Sequence, residues 1–344
     1  MSGIAEGPVT DWMVANVAGV RPPLRFHLIA GGRSNLTYEV ADAAGARYVL
    51  RRPPLGQVLA TAHDVGREHR IISALAATDV PVAPALGHCP DPGVTGAPFY
   101  VMGFVDGVVP RDASVAEKAW DERARRAAAD SLVDVLATLH SLDPDEVGLG
   151  DLGRKEGYLA RQLRRWHGQF QQSRQRDIPD VDEVHDRLAA SVPEQGRAGI
   201  VHGDYRIDNC VCRPDGPVAA VLDWELCTLG DTMADVGMLA ICWTRPGDRN
   251  PARPDSPTLL AGFPERADAL ARYASASGRD LTLLGWYEAF AHWKLACIGE
   301  GVYARYRAGV MGEQAGIDLT VMAEGVLRRA GAARRALDAF ESAR

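Results

Sequence analysis

Asp204, Asn209 and Asp223 have the residue types and spacing that phosphoryl transfer uses. They lie in one stretch, Ile200 to Asp235, which opens with an apolar entry, Ile200-Val201, into His202-Gly203-Asp204. Asn209 follows five residues after that Asp, and Arg213-Pro214-Asp215-Gly216-Pro217 predicts a hairpin reversal. The β-branched and aliphatic run Val218 to Leu222 then delivers Asp223. The layout is loop carboxylate, loop amide, hairpin, strand-end carboxylate. In phosphoryl transfer one Asp orients and deprotonates an attacking hydroxyl, while an Asn and a second Asp hold Mg²⁺ against the nucleotide phosphates. A lone His-Gly-Asp also fits a helix-capping Asp beside a tight turn; the Asn and second Asp at these offsets favour the catalytic reading.

Taken together these motifs resemble the aminoglycoside phosphotransferase-like (choline kinase-like) small-molecule kinases. The likeness is closest to the branch found as the kinase domain fused to acyl-CoA dehydrogenases, and its stand-alone bacterial relatives. The family pattern H-G-D-x-x-x-x-N is met by His202, Gly203, Asp204 and Asn209, and the metal-binding Asp by Asp223 in Leu-Asp-Trp-Glu. Gly230, Asp231 and Asp235 meet the G-D-x-x-x-D that follows. The resemblance implies an α+β, protein-kinase-like bilobal fold. Residues 1–105 would form a nucleotide-binding lobe, a small antiparallel sheet with one helix, and residues 106–344 a larger, mainly helical catalytic and substrate-binding lobe. It further implies ATP and Mg²⁺, with Asp204 as the base and Asn209 and Asp223 on the metal. His202 and Asp235 would support the loop, Asp235 by bonding back to the His-Gly-Asp backbone. The chain lacks H-R-D, D-F-G and A-P-E, which disfavours a protein kinase.

The elements that must position these groups read as follows. Met1 to Val20 is a loosely ordered lead-in with a short helix from Thr10 to Val17. Leu24 to Ala30 and Leu36 to Val40 are strands around Gly31-Gly32-Arg33-Ser34-Asn35, a hairpin tip. Glycines let backbone N–H groups approach phosphate, so Gly31, Gly32, Ser34 and Asn35 are nucleotide-binding candidates, although Gly-Gly alone is an ordinary turn. Arg47 to Arg52 is the third strand. The family places a phosphate-gripping Lys there; this chain has Arg51, with Val49 on the same face lining the adenine slot and Arg52 on the other. Asp64 to Ala76 is a helix whose Glu68 matches the carboxylate that pairs with that cation, or else is a surface Glu among Arg67, His69 and Arg70. Val80 to Pro84 and Phe99 to Val105 flank a Pro/Gly-rich loop, and the second resembles the strand into the inter-lobe hinge. Met102 would back the adenine, and the backbone of Gly103, Phe104 and Val105 would meet its edge.

Beyond these, Ser114 to Leu142 reads as one long helix, with His140 at its end as a packing or hydrogen-bonded residue. The helix Tyr158 to Gln175 is basic, either a solvated face or an anion-attracting rim. Val181 to Ala190 and Thr232 to Cys242 are helices, and Arg245 to Pro257 is a loop and candidate substrate-side lid. Helices at 264–276 and 281–300 and a terminal helix or pair from 313 close the chain. His292, Trp293, Lys294, Tyr303 and Arg305 are the acceptor-pocket candidates, on family position.

Of 344 residues 47% are hydrophobic and 24% charged, a composition and length that suit two lobes with separate cores. The net charge of −7 argues against nucleic-acid binding. No apolar run reaches bilayer length and no basic-then-apolar leader opens the chain, so the expectation is a cytoplasmic protein without membrane contact. The six cysteines lack zinc spacing and read as reduced packing residues. Residues 281–310 carry Lys294, Arg305 and Arg307 against Glu288 and Glu300, a slight basic excess from which a neutral or anionic acceptor is expected. The resemblance to the dehydrogenase-fused branch implies that this hydroxyl compound is a hydroxyacyl-CoA or hydroxy acid. The alternatives are an aminoglycoside 3'-type phosphotransferase and, because the usual Lys is missing, a nucleotide-binding pseudokinase. Sequence leaves the oligomeric state open.

Overall fold

The computed structural model describes residues 3–30, 35–53, 64–249, 251–309 and 318–344. Two compact units divide the chain: Met1–Gly107 with Ala219–Glu225, and Val108–Val218 with Leu226–Arg344.

The first unit is built on an antiparallel five-stranded sheet of β1 (Arg25–Ala30), β2 (Leu36–Ala41), β3 (Arg47–Arg52), β4 (Ala85–Cys89) and β5 (Phe99–Gly103), in the order β1-β2-β3-β5-β4. Alternation along each strand sorts the side chains onto two faces. Tyr38, Val40, Tyr48, Leu50, Phe99 and Val101 join one core with Val9, Met13 and Val17 of the N-terminal segment. That segment is α1 (Glu6–Asn16), longer and better packed than the loose lead-in its composition suggests. Val9 and Met13 lie four residues apart and so share one helix face, and Val17 follows at the extended C-cap. The unit therefore carries a second helix beside the expected one, α2 (Val65–Leu75), which Asp64 caps by accepting the Arg67 N–H at 2.9 Å. Val80 to Pro84 is not a strand: Pro81 and Pro84 have no amide to give a ladder, and pairing begins only at Ala85. The Pro81 carbonyl instead accepts the Val221 N–H at 2.8 Å, tying in the segment that carries Asp223.

The second unit is mainly helical: α3 (Ala113–Ala119), α4 (Glu122–Ser141), α5 (Tyr158–Ser173), α6 (Pro179–Ala190), α7 (Met233–Cys242), α8 (Arg266–Ser277), α9 (Leu284–Arg307) and α10 (Leu319–Ser342). Short strands β6 (Gly199–Val201) and β9 (Thr228–Gly230) pair antiparallel, while β7 (Cys210–Cys212) leads into β8 (Val218–Val221). The single long helix expected over 114–142 is two. Trp120 is extended and buried, its indole N–H donating to the Arg213 carbonyl at 3.2 Å, and Asp121 starts α4 afresh by capping the Ala124 N–H at 2.8 Å. A local Asp cap plus one buried indole outweighs helical continuity. The 245–257 loop is pinned down: Arg245 bonds to the Thr258 carbonyl and Glu265, and the Asp255 carbonyl accepts the Ala113 N–H. All six cysteines are buried free thiols. Among the described residues no helix is long and apolar enough to cross a membrane.

Candidate active site

Strand β6 delivers His202-Gly203-Asp204, and a single 3-10 turn, Ile207–Asn209, returns the chain to β7. Gly203 has φ +88°, and a Cβ there would lie 2.8 Å from the Leu226 carbonyl, so only glycine fits. The loop backbone is held by Asp235 in the first turn of α7. Its carboxylate accepts the His202 N–H at 2.7 Å and the Gly203 N–H at 2.8 Å. Behind it His140 Nε2 lies at 3.3 Å, and His140 Nδ1 is 2.7 Å from the Tyr273 hydroxyl. Burial alone would raise Asp235, but His140, His202 and the Gly203 amide outweigh it and keep the carboxyl below its ordinary range. Burial likewise lowers His140 despite that carboxylate. An anionic Asp235 only accepts, so the neutral imidazole donates from Nε2 and receives the Tyr273 hydroxyl proton at Nδ1.

At the loop tip, the Asn209 amide N–H₂ donates to the Asp204 carbonyl at 2.8 Å and to Asp204 Oδ2 at 2.9 Å. Arg206 reaches the same Oδ2 at 3.1 Å and Asp208 at 3.1 Å, and Arg253 also pairs with Asp208. The Asp204 side chain keeps 20% of its exposure, open enough to meet a small molecule.

In the first unit, the sheet face turned away from α1 carries a second cluster. Register pairs Val49 with Met102 and Arg51 with Tyr100 across β3 and β5. Arg51, almost fully buried, lies 3.5 Å from Glu68 and 3.1 Å from Asp223. Burial opposes its charge, but Tyr100, Glu68 and Asp223 prevail and hold the guanidinium above its ordinary value. Glu68 is no surface residue. It is buried, accepts from Tyr100 at 3.1 Å and from Asn35 at 2.5 Å, and burial pushes its carboxyl up despite Arg51. Arg52 points the opposite way, to the Gly3 and Thr95 carbonyls. Asp223 is the one non-glycine residue with positive φ among those described, at 64°. That conformation costs an L-residue roughly 1–2 kcal/mol, and such strain concentrates at functional positions. The amides of Gly103 and Phe104 are bonded to the Pro84 and Arg47 carbonyls, so of the three hinge amides Val105's is the one not engaged in these bonds. Gly31, Gly32 and Ser34 lie outside the described residues.

The acceptor candidates on α9 do not converge. Trp293 is fully buried and donates to the Val181 carbonyl at 2.9 Å. Tyr303 stacks under Arg176 at 4.9 Å, and Arg305 is exposed near the helix end. Lys294 is buried with its ammonium 2.6 Å from the Gly203 carbonyl. His292 is pushed down to about 4 by burial, then by Arg329, Arg335 and Arg266. Its folded value therefore lies below the ordinary one near 6.5. As pH falls from about 6.5 toward 4 the unfolded chain binds a proton that the folded chain refuses, so stability drops through that window. His292→Gln should flatten this acid-side fall by a few degrees in Tm, measured by thermal melts from pH 8 to pH 4.

Three partners were missed by sequence reasoning. Tyr100 was legible in principle, two residues from Met102 and so on its face of β5. Arg206 lies two residues after Asp204, and nothing in its own spacing says which way it turns. The Asn35–Glu68 bond joins residues 33 apart in sequence, and neither neighbourhood announces it.

Each unit by itself offers one oxygen donor of the kind a hard divalent cation takes. Asn209 commits its N–H₂ to Asp204 and so offers its carbonyl oxygen, and Asp223 keeps Oδ2 beyond the oxygen on Arg51. Among the described residues no group of three His, Cys, Asp or Glu could hold a metal by itself. Mg²⁺ is usually bound by one or two protein carboxylates, with phosphate and water completing its shell.

The profile of the phosphotransferase enzyme family (APH) matches residues 25–289. The chain is 36% identical over 287 residues to acyl-CoA dehydrogenase family member 11 of Gallus gallus, covering 81% of this chain and 36% of that one. It thus spans about a third of the length of that curated relative. A solved protein from Ralstonia eutropha JMP134, provisionally named an aminoglycoside phosphotransferase, superposes with a TM-score of 0.80 at 32% identity, covering 96% of this chain and 97% of its own. Amicoumacin kinase hAmiN, solved with AMP-PNP, Ca²⁺ and Ami, shares the fold at TM-score 0.61 and 16% identity, covering 96% and 94%. The kinase-like α+β fold and the family resemblance read from His202 to Asp235 both stand: this chain belongs to the phosphotransferase enzyme family.

Proposed function

We propose that this chain is an ATP- and Mg²⁺-dependent kinase that phosphorylates a hydroxyl of a neutral or anionic small molecule. The observation that carries the reading is the loop in which Asp204, oriented by Asn209 and Arg206, is presented on a backbone clamped by Asp235. Asp204 accepts or orients the acceptor's hydroxyl proton as the oxygen attacks the γ-phosphorus. The bond from that phosphorus to the bridging β-phosphate oxygen breaks, and ADP leaves. The transition state is loose, so holding the reactants in line matters more than basicity. Arg51, backed by Glu68, steadies the phosphates, and Val49, Met102 and the 103–105 backbone receive the adenine. Asn209 and Asp223 would hold Mg²⁺, which would supply neutralisation of the phosphate charge. Gly31, Gly32, Ser34 and Asn35 belong to the phosphate-covering tip.

The test is ADP release screened over hydroxyacyl-CoAs, hydroxy acids and aminoglycosides. Turnover with the first two classes supports the reading. Turnover confined to aminoglycosides would favour the second reading, to which the name of the Ralstonia eutropha neighbour lends support. Asp223→Ala should weaken Mg²⁺-dependent ATP binding by roughly tenfold or more, the scale of losing one hydrogen-bonded charge contact. Binding of MgATP by this variant as tight as wild type, read by calorimetry, contradicts the metal role.

A further inference from the structure

The geometry points to Lys294 as a positioning residue for the catalytic loop, its buried ammonium fixing the peptide plane that presents Asp204. This rests on the kinase reading above, and it moves Lys294 from acceptor binding to loop support. The plane between Gly203 and Asp204 is gripped at both ends. Its carbonyl accepts from Lys294 Nζ at 2.6 Å, and its N–H donates to His202 Nδ1 at 3.2 Å. Asp235 holds the plane before it through the Gly203 N–H. With both planes fixed, the direction of the Asp204 side chain is set by its own backbone.

A lysine is a costly residue with which to fill this position. Its side chain is 5% exposed, α9 surrounds it with core residues, and the Trp166 ring centroid lies 5.6 Å from the ammonium. A methionine would occupy the same space without desolvating a charge. What a methionine lacks is a charge-assisted donor for the Gly203 carbonyl. The charged groups that act on Lys294 are Asp204 from the loop, Asp235 from α7 and Arg165 from α5; burial prevails over the two carboxylates and lowers its basicity. Its proton is therefore released below the ordinary lysine range, and with it goes the charge that strengthens the bond.

The experiment follows ADP release from MgATP, with water as acceptor and with the most active compound of the acceptor screen, for wild type, Lys294→Met, Lys294→Arg and Asp204→Ala. Lys294→Met should lose at least tenfold in turnover with ATP affinity within twofold of wild type. Wild-type turnover should decline on the alkaline side, below the ordinary lysine value near 10.4, and Lys294→Arg, which keeps its proton, should lack that decline while retaining part of the activity. Wild-type turnover in Lys294→Met, or an alkaline decline unchanged in Lys294→Arg, overturns the inference. Should Lys294→Met not fold, the pH profile of Lys294→Arg decides alone. Equal ADP release by wild type and Asp204→Ala would instead mean that the kinase reading has failed.

Discussion

Asp204→Ala should lower turnover by roughly 10²–10⁴-fold, the scale of removing a general base, while MgATP still binds. The asymmetry follows from what Asp204 touches. Its carboxylate meets Asn209 and Arg206 within the loop and stays partly exposed. Asp204→Asn keeps the side-chain volume and one acceptor oxygen but loses the charge and the proton site, so it should lose turnover too, by no more than the alanine variant. Steady-state ADP release paired with calorimetric ATP affinity separates the two effects. Loss of ATP affinity equal to the loss of turnover would make Asp204 a nucleotide ligand. Normal turnover would remove it from the chemistry altogether.

Asp235→Ala should destabilise the protein by about 3–5 kcal/mol, because the carboxylate is buried and breaking such a set strands its partners. The stranded groups are the His202 and Gly203 amides and the His140 Nε2 proton. A loss of that size corresponds to a fall in Tm on the order of 10 °C. The pH dependence gives an internal control. A carboxyl depressed in the folded state contributes stability that is fully present above its unfolded value near 3.9 and lost as pH falls through its folded value. The gap between wild type and variant should thus be constant from neutral pH to about pH 5 and close at more acid pH. Denaturant titrations across that range measure it; a gap below about 1 kcal/mol at pH 7 would contradict the clamp. Turnover should fall as well, since the loop that carries Asp204 loses its backbone anchor.

The candidate loop was legible because its parts lie close together in the chain. From His202 to Asp235 the order of loop, turn, strand and helix fixes which side chains can share a loop, and the alternation of β3 correctly separates Arg51 from Arg52. What the sequence did not disclose depends on contacts made at long range. The break at Trp120 needs the Arg213 carbonyl, 93 residues away, to accept its indole. Family position pairs Glu68 with Arg51, but its enclosure by Tyr100 and Asn35 joins parts of the chain more than 30 residues apart. Lys294 has the position of a substrate-pocket residue in a helix rich in aromatics; only the fold reveals that its ammonium turns inward to Gly203, 91 residues earlier. The N-terminal helix was underrated for a different reason. Its apolar stripe of Val9 and Met13 is narrow, and its burial depends on the sheet that receives it.

The proposed function requires that the chain bind ATP together with a divalent cation. Calorimetric titration of wild-type protein with ATP, in matched buffers with Mg²⁺ and with chelator, tests it most directly. The account predicts saturable binding that tightens at least tenfold when Mg²⁺ is present. Absence of ATP binding, or an affinity indifferent to Mg²⁺, would contradict it.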